Sequence, residues 1–512
     1  MELKKTENTI RGTAMGIINR VVGIIMPFVL RTVMIRQLGI DYAGLNGVFS
    51  SILSVFSLSE LGFGDSIIFS MYEPIKNDDY DEIGKLWAYC RTIYRRVGVF
   101  ILIAGVLLIP FLPRLIKSGI PSDMNLYVLY LGFLFDTVIS YVWGGYRFTV
   151  ISAYQRTDVY TGIQSILFLI FYTIQIIQLT IFRNYYIYVI VMILQTVALA
   201  YCGYLASKRM HPEIVPMQGL AEEKKKKIRN NVGGIAFHRV GDTVSTSLDN
   251  LVISAFLGLT AEAVYGNYNF VFIAVLSIMN TFFNVLTAGI GNKTLTAGLE
   301  ENKGVFDELN YVSMRLTTFC CACMMALYQP FMRTWVGNEL TMPLYIAALF
   351  TLYFFTASSR KLVNTYKNAL GMWLEDKWKS IVACLFNLIF NVVMIQRIGI
   401  AGVVLSTILS YAIVEIPWEV HVLFKNYFKT GEAGYYKTLL INLAETALVS
   451  AAAYYIVNYL ISVGLTNIIA VFAVGILVVS VFVLLLHFRE PEFRKIIDRG
   501  VSTIKGMRKK SA

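Results

Sequence analysis

Long apolar runs, broken by short polar turns, fill the chain from about residue 12 to residue 487. A helix rises about 1.5 Å per residue, so roughly 20 apolar residues cross a bilayer core of about 30 Å. Segments of that length recur. They predict about fourteen transmembrane helices, over 12–35, 43–70, 88–112, 123–146, 158–182, 184–206, 232–256, 262–289, 308–331, 342–363, 379–397, 400–424, 436–459 and 465–487. Acidic residues mark several gaps, as at Asn77-Asp78-Asp79 and Glu300-Glu301-Asn302, and Pro110, Pro113 and Pro121 mark others. A membrane β-barrel needs alternating segments of about 10 residues, and runs such as Ile468 to Leu486 do not alternate.

Composition sharpens this picture. Of 512 residues, 56% are hydrophobic and only 15% charged, against about a quarter charged in soluble proteins. The excess of Lys and Arg, 45 against 33 acids, is distributed by side. Loops that are cytoplasmic when the N-terminus is inside hold most of it, including Lys224-Lys225-Lys226-Lys227 and Arg508-Lys509-Lys510. The opposite loops hold few, among them Arg36, Arg114, Lys117 and Arg183. This bias predicts that both termini are cytoplasmic and that the helix number is even. The net charge of +12 then reports topology, and no nucleic-acid partner is expected.

The first apolar stretch carries Arg11, Arg20 and Arg31 and ends in no small-residue cleavage site, so it does not read as a signal peptide. The six cysteines fall in or at predicted helices, which argues against a disulfide framework. Cys320, Cys321 and Cys323 read as small polarizable packing residues rather than a metal cluster. The four histidines are scattered without metal spacing, and no phosphate-binding loop is present. The longest polar stretch, 207–230, is a short basic linker. Neither an enzyme nor a cofactor is therefore expected.

That linker divides the chain into an N-terminal lobe of six helices (1–206), the linker (207–230), a second six-helix lobe (231–425), two further helices (426–488) and a basic tail (489–512). Sliding the chain on itself by 219–220 residues pairs Arg20 with Arg239, Leu38-Gly39 with Leu257-Gly258, Arg95 with Arg315, Pro110-Phe111 with Pro330-Phe331 and Tyr146-Arg147 with Tyr366-Lys367. Two units of six helices share one orientation, so their pseudo-twofold axis runs along the membrane normal with a central cavity between the lobes. The predicted fold is an all-α polytopic membrane protein: two pseudo-symmetric six-helix lobes plus two C-terminal helices.

Several stretches resemble bacterial polysaccharide flippases of the Wzx type. They are Arg31-Thr-Val-Met-Ile-Arg-Gln-Leu-Gly-Ile-Asp-Tyr-Ala-Gly-Leu-Asn-Gly-Val-Phe49, Ser59-Glu-Leu-Gly-Phe-Gly64, Leu251-Val-Ile-Ser-Ala-Phe-Leu-Gly258 with Tyr265-Gly-Asn-Tyr268, Gln329-Pro-Phe-Met-Arg-Thr-Trp-Val-Gly337, and Gly399-Ile-Ala-Gly-Val-Val-Leu-Ser-Thr407. The resemblance covers nearly the whole chain and is specific to a superfamily that also holds lipid II flippases and multidrug exporters. It implies fourteen helices in two lobes, alternating access, a bacterial plasma membrane and a polyprenyl-pyrophosphate-linked oligosaccharide as cargo. A polysaccharide polymerase and glycosyltransferases become expected partners beside membrane lipids. Lipid II flipping, multidrug efflux and a membrane-embedded glycosyltransferase or polymerase are the alternatives.

Charges inside predicted spans are the candidate chemistry, because a central Arg costs about 2.5–3.5 kcal/mol on insertion scales. Arg20, Arg95, Arg239 and Arg315 fall in the first, third, seventh and ninth spans. Arg31 follows Arg20 about 20° around the same helix, and Arg91 shares a face with Arg95. The planar fork of Arg suits phosphate oxygens. The same residues can instead snorkel or pair with acids, as Arg239 can with Asp242. The intramembrane acids are Glu60, Asp65, Asp136, Asp242, Asp249 and Glu415. Each is a candidate for coupling to an H⁺ or Na⁺ gradient or for ion pairing, and Asp136 is the first choice. Tyr141, Trp143, Tyr146, Tyr265 and Tyr268 are candidates for stacking on sugar rings or for interfacial belts.

Overall fold

The computed structural model describes residues 5–57, 62–372 and 375–490. Within these, the side chains of 5–14, 17, 231–243, 245, 285, 288 and 295 lie outside the description. The chain forms α1 (Lys5–Gln37), α2 (Ile40–Ser57), α3 (Phe63–Lys76), α4 (Tyr80–Leu108), α5 (Leu112–Leu115), α6 (Leu126–Ile139), α7 (Thr149–Ala153), α8 (Thr157–Ile181), α9 (Tyr185–Met210) and α10 (Glu222–Leu257). It continues through α11 (Leu259–Thr296), α12 (Leu299–Val336), α13 (Leu344–Ser359), α14 (Lys361–Ala369), α15 (Lys379–Ile398), α16 (Ile400–Leu409), α17 (Ile416–Leu423), α18 (Ala433–Ser462) and α19 (Ile468–His487). Wide π-helical turns at Ser140–Gly144, Ser410–Glu415 and Phe424–Phe428 fall on two of the long rods.

The molecule is an all-α, multi-pass membrane protein. Among the described residues, eleven helices are long and apolar enough to cross a bilayer. Three of the expected fourteen spans fall outside that set for separate reasons. The span 43–70 is divided between α2 and α3. The span 342–363 is divided between α13, with 16 residues, and α14. The span 232–256 belongs to α10, 36 residues long, whose apolar part among the described residues is Thr246–Leu257. α10 also absorbs the end of the basic linker. Its first turn carries Glu222 and Glu223, which favour a helix N-terminus. The Lys225 ammonium, 2.7 Å from Glu222, holds that carboxyl below its ordinary range.

α4 shows how sequence becomes a membrane helix. Cys90, Ile93, Tyr94, Val97, Gly98, Ile101 and Gly105 recur at helical spacing and are buried. The opposite face exposes Val99, Phe100, Ile103 and Leu107. A helix apolar all round finds a partner for its second face in lipid.

The helices gather into two compact units, unit 1 (Met1–Gly266 with Ser380–Val403) and unit 2 (Asn267–Lys379 with Val404–Ala512). The first boundary between these units falls within α11. In unit 1, α1 lies along α8, where Asn19 Nδ2 donates to Thr161 O (3.2 Å) and Gln164 Oε1 (2.9 Å). Phe49 packs on Tyr130 and Phe133 with ring centroids 5.6 and 5.3 Å apart. Tyr130 donates to Gly105 O at 3.1 Å, and Trp87 to Tyr146 O at 3.0 Å. Buried hydroxyl and indole groups are thus matched to carbonyls.

In unit 2, α12 packs against α18 and α19 through Ala322, Ala326, Leu327, Val449, Ala453, Val457, Val471 and Val479. A side chain on Gly475 would collide with Leu327, so small residues set the helix spacing, as they do between membrane helices generally. An aromatic stack forms beside them: Tyr268 lies 5.1 Å from Tyr328, and Phe272 lies 4.2 Å from Tyr353.

Candidate functional site

The first charged site lies in unit 1, where Arg31 of α1 and Glu262 of α11 are neighbours of opposite charge. Glu262 is 1% exposed, and its Oε2 has no hydrogen-bond partner among the described residues. Its carboxylate rests on bare backbone, since a Cβ on Gly47 would overlap it. Gly266 makes the same room for the Arg31 guanidinium, whose Nη2 donates to Ala263 O at 3.1 Å. Two glycines on two helices thus seat a charged pair in the interior. Tyr188 of α9 has both Arg31 and Asp136 as charged neighbours and accepts from Asn46 Nδ2 at 2.9 Å. Arg31 and Asp136, both candidates from sequence, are therefore gathered around one tyrosine.

Asp136 itself is half-buried beside Thr196, and its Oδ1 has no hydrogen-bond partner among the described residues. The other unit 1 candidates disperse. Asp249 is 2% exposed and accepts from Asn391 Nδ2 at 2.5 Å. Arg20 is exposed, Arg91 half-buried and Arg95 exposed on the outer face of α4. Glu60 lies outside the described residues, as do the side chains of Arg239 and Asp242 and the basic tail beyond Glu490.

Asp65 lines a cavity of about 540 Å³ inside unit 1, walled by α3, α4, the wide turn at Ser140–Gly144, α7, α8 and α9. Of the five aromatic residues singled out in the sequence, Tyr141 lines this cavity. Tyr265 and Tyr268 are 2% and 0% exposed and belong to the packed interior. Tyr146 is also buried, and Trp143 is exposed.

In unit 2, Arg315 of α12 meets the two C-terminal helices. Its Nη1 lies 2.5 Å from both oxygens of Glu445, and its Nη2 donates to Asn442 Oδ1. His487 Nε2 lies 2.7 Å from the same carboxylate. Glu490 continues the chain of contacts: it accepts from the Tyr311 hydroxyl and lies 3.0 Å from His487 Nδ1. Burial pushes the Glu490 carboxyl up, but these hydrogen bonds outweigh it and leave the group below its usual range. A cavity of about 700 Å³ opens beside this network.

A second network in unit 2 is one the sequence did not disclose. Arg360 forms a fork to Glu419, with Nη2 to Oε1 at 2.6 Å and Nε to Oε2 at 3.2 Å, and also pairs with Glu415. Lys379 lies 2.5 Å from Glu419, 3.7 Å from Glu415 and 3.8 Å from Asp376, and Lys367 pairs with Asp376. Tyr411 presents its ring face to Arg360 at 4.7 Å. Three cations and three anions cancel, and no side chain among them is more than 8% exposed. Of the six, only Glu415 is among the acids singled out in the sequence, although Arg360 and Glu419 also fall inside the expected spans 342–363 and 400–424. The spacing of Glu415 and Glu419, one helical turn apart, is the signal that could have found the rest.

No family model matches the sequence. No curated protein matches it. Solved structures do match. The chain superposes on the lipid II flippase MurJ in its inward closed conformation with a TM-score of 0.61 and 15% identity, over 95% of this chain and 100% of that one. It superposes on the inward-facing conformation of a multidrug resistance MATE family transporter of the MOP superfamily with a TM-score of 0.56 and 11% identity, over 83% and 94%. A MOP superfamily transporter from Pyrococcus furiosus, described by the reversed polarity of its binding pocket, gives 0.52 and 11% over 83% and 96%. These neighbours are transporters and flippases rather than enzymes, and the chain has their polytopic helical fold.

Proposed function

We propose that this chain is a flippase that carries polyprenyl-pyrophosphate-linked oligosaccharide from the cytoplasmic to the outer leaflet of a bacterial plasma membrane by alternating access. The product serves capsule, exopolysaccharide or related polymer synthesis, with glycosyltransferases upstream and a polymerase downstream. The observation that carries this reading is the fold shared with a lipid II flippase over 95% of the chain. A lipid-linked anionic sugar cannot cross about 30 Å of hydrocarbon unaided. Arginines that reach the membrane interior supply the fixed positive charge its head needs. In this reading Arg20, Arg31, Arg91, Arg95, Arg239 and Arg315 meet the pyrophosphate, and Asp136 couples transport to an H⁺ or Na⁺ gradient.

The test is reconstitution of the full chain in vesicles with undecaprenyl pyrophosphate bearing a labelled disaccharide. The lipid should become accessible to an impermeant sugar oxidant faster than in empty vesicles. Arg31→Ala should slow it, and Asp136→Asn should remove its dependence on an imposed gradient. Lipid that stays put would overturn the proposal. The likeness to multidrug transporters supports a second reading, efflux of organic cations, and transport of ethidium in place of the lipid would establish it. Both termini are taken as cytoplasmic, so reporter fusions at Gly219 and after Ala512 should give the same cytoplasmic signal.

A further inference from the structure

The cavity inside unit 1 has a chemistry distinct from that of the arginines. Its wall is hydroxyl-rich and aromatic: Thr137, Ser140, Ser152 and Thr196 stand beside Tyr141 and Tyr160. Among the described residues Asp65 is the one charged side chain in the lining, and it is an acid. Pyrophosphate offers only acceptors and negative charge, so this wall repels it. A prenyl chain has no use for a wall of hydroxyls.

The direction of the hydrogen bonds narrows the ligand further. Thr137 Oγ1 donates to Phe133 O at 3.0 Å, and Ser140 Oγ donates to Thr137 O at 2.7 Å. The Tyr141 hydroxyl reaches Ser57 O at 3.4 Å. Their protons are committed to carbonyls, which leaves oxygen lone pairs for a ligand. The Asp65 carboxylate is likewise an acceptor. A wall of acceptors selects a ligand rich in donors. Aromatic faces add a surface for C–H groups, as Phe148 and Tyr160 provide with ring centroids 4.7 Å apart. The volume, about 540 Å³, lies within the range of about 300–1,000 Å³ typical of small-molecule sites.

We propose that this cavity is a carbohydrate subsite, which holds sugar hydroxyls of the cargo apart from the pyrophosphate. The inference rests on the flippase reading and deepens it. Sugar is recognised in one place by oxygen acceptors and aromatic faces, while the anionic head is held elsewhere by arginine. A site that pairs with hydroxyls discriminates strongly against ligands that lack them.

The test uses the purified full chain and three probes: undecaprenyl pyrophosphate bearing a disaccharide, the same lipid without sugar, and ethidium. The wild type should bind the glycosylated lipid more tightly than the bare one. Ser152→Phe fills the cavity, and the pair Thr137→Val with Thr196→Val removes acceptors at nearly constant volume. Each should weaken the glycosylated lipid by about tenfold and leave the bare lipid unchanged. Thermal melting of each variant controls for misfolding, and the unchanged bare-lipid affinity is a second control. Asp65→Asn should keep most of the sugar affinity, since an amide still pairs with hydroxyls. Equal weakening of both lipids, or no weakening of either, would overturn the subsite while leaving the flippase reading standing. Loss of ethidium binding in Asp65→Asn, with the glycosylated lipid unaffected by any variant, would assign the cavity to cations instead. Failure of the wild type to bind either lipid would remove the flippase reading and this subsite together.

Discussion

The internal offset of 219–220 residues relates Ser140 to Arg360, Thr196 to Glu415 and Ala200 to Glu419. In unit 1 the three line an open cavity. In unit 2 the three are members of a closed network of six buried charges. Positions that this offset pairs thus have opposite surroundings. Unit 1 keeps neutral groups beside space, and unit 2 keeps full charges beside one another. The difference teaches where substitution is tolerated. A hydroxyl facing a cavity can be removed with little left unmatched, whereas removing a carboxylate that faces two cations leaves an excess of buried positive charge.

The comparison breaks most visibly at Glu419. Glu419→Gln leaves three buried cations to two acids and should lower stability by about 3–5 kcal/mol, read as a large fall in melting temperature of the purified protein. Adding Lys379→Met should restore part of the loss. An unchanged melting point in the single variant would mean that the six charges do not act as one network. Next comes Arg315→Ala, which strips Glu445 of its fork and should cost about 1.5–3 kcal/mol. Arg315→Lys should recover part of this because it keeps the charge without the planar geometry.

Unit 1 has a strict position at the Arg31–Glu262 pair. Gly47→Ala forces a methyl group into the Glu262 carboxylate and should cost about 1–3 kcal/mol by overpacking. Melting at the wild-type temperature would show that the seat is looser than described. Smaller still is the effect of Glu490→Gln. The Glu490 carboxyl sits below its ordinary range in the folded protein. It therefore adds stability above the ordinary Glu value and loses it as pH falls through the depressed one. The variant should melt slightly below wild type at pH 7, and the gap should narrow as pH falls below the ordinary Glu value of about 4.3. A gap that does not narrow as the pH is lowered would point to packing instead of charge. Ser140→Ala should change stability by no more than about 0.5 kcal/mol, and a larger loss would bring the unit 1 cavity closer to the unit 2 network than their chemistry suggests.

The long helices were legible because a bilayer imposes length and composition on every span, and α4 or α19 satisfies both without help from elsewhere. Arg31, Asp136 and Arg315 were legible for the same reason, as charges in apolar surroundings. Their partners were not. Glu262 stands at the very start of its expected span and reads as a loop acid, and its burial follows from Gly47, more than two hundred residues earlier. The unit 2 network joins α13, α14, α15 and α17 with the connection before α15, and no local period links Arg360 to Glu419 or Lys367 to Asp376. The wide turns were also hidden, since a single added residue shifts a helical period too little to stand out among apolar side chains. The division of spans 43–70 and 342–363 into two helices each was not read, because an average of apolar character over about 20 residues smooths over such a break.

The wide turn at Ser410–Glu415 has a mechanical consequence for α17. A π turn holds one residue more than an α turn, a local slack in the winding of the rod. Passing that slack one position along the chain rotates the residue it crosses by about 100° and advances it by about 1.5 Å, with the rod still continuous. Glu415 closes this turn, Glu419 follows it, and a second wide turn begins at Phe424. The segment between the two turns is a bolt with free thread at both ends. It can present Glu415 and Glu419 to different cations by screwing, without a hinge and without baring its backbone to lipid.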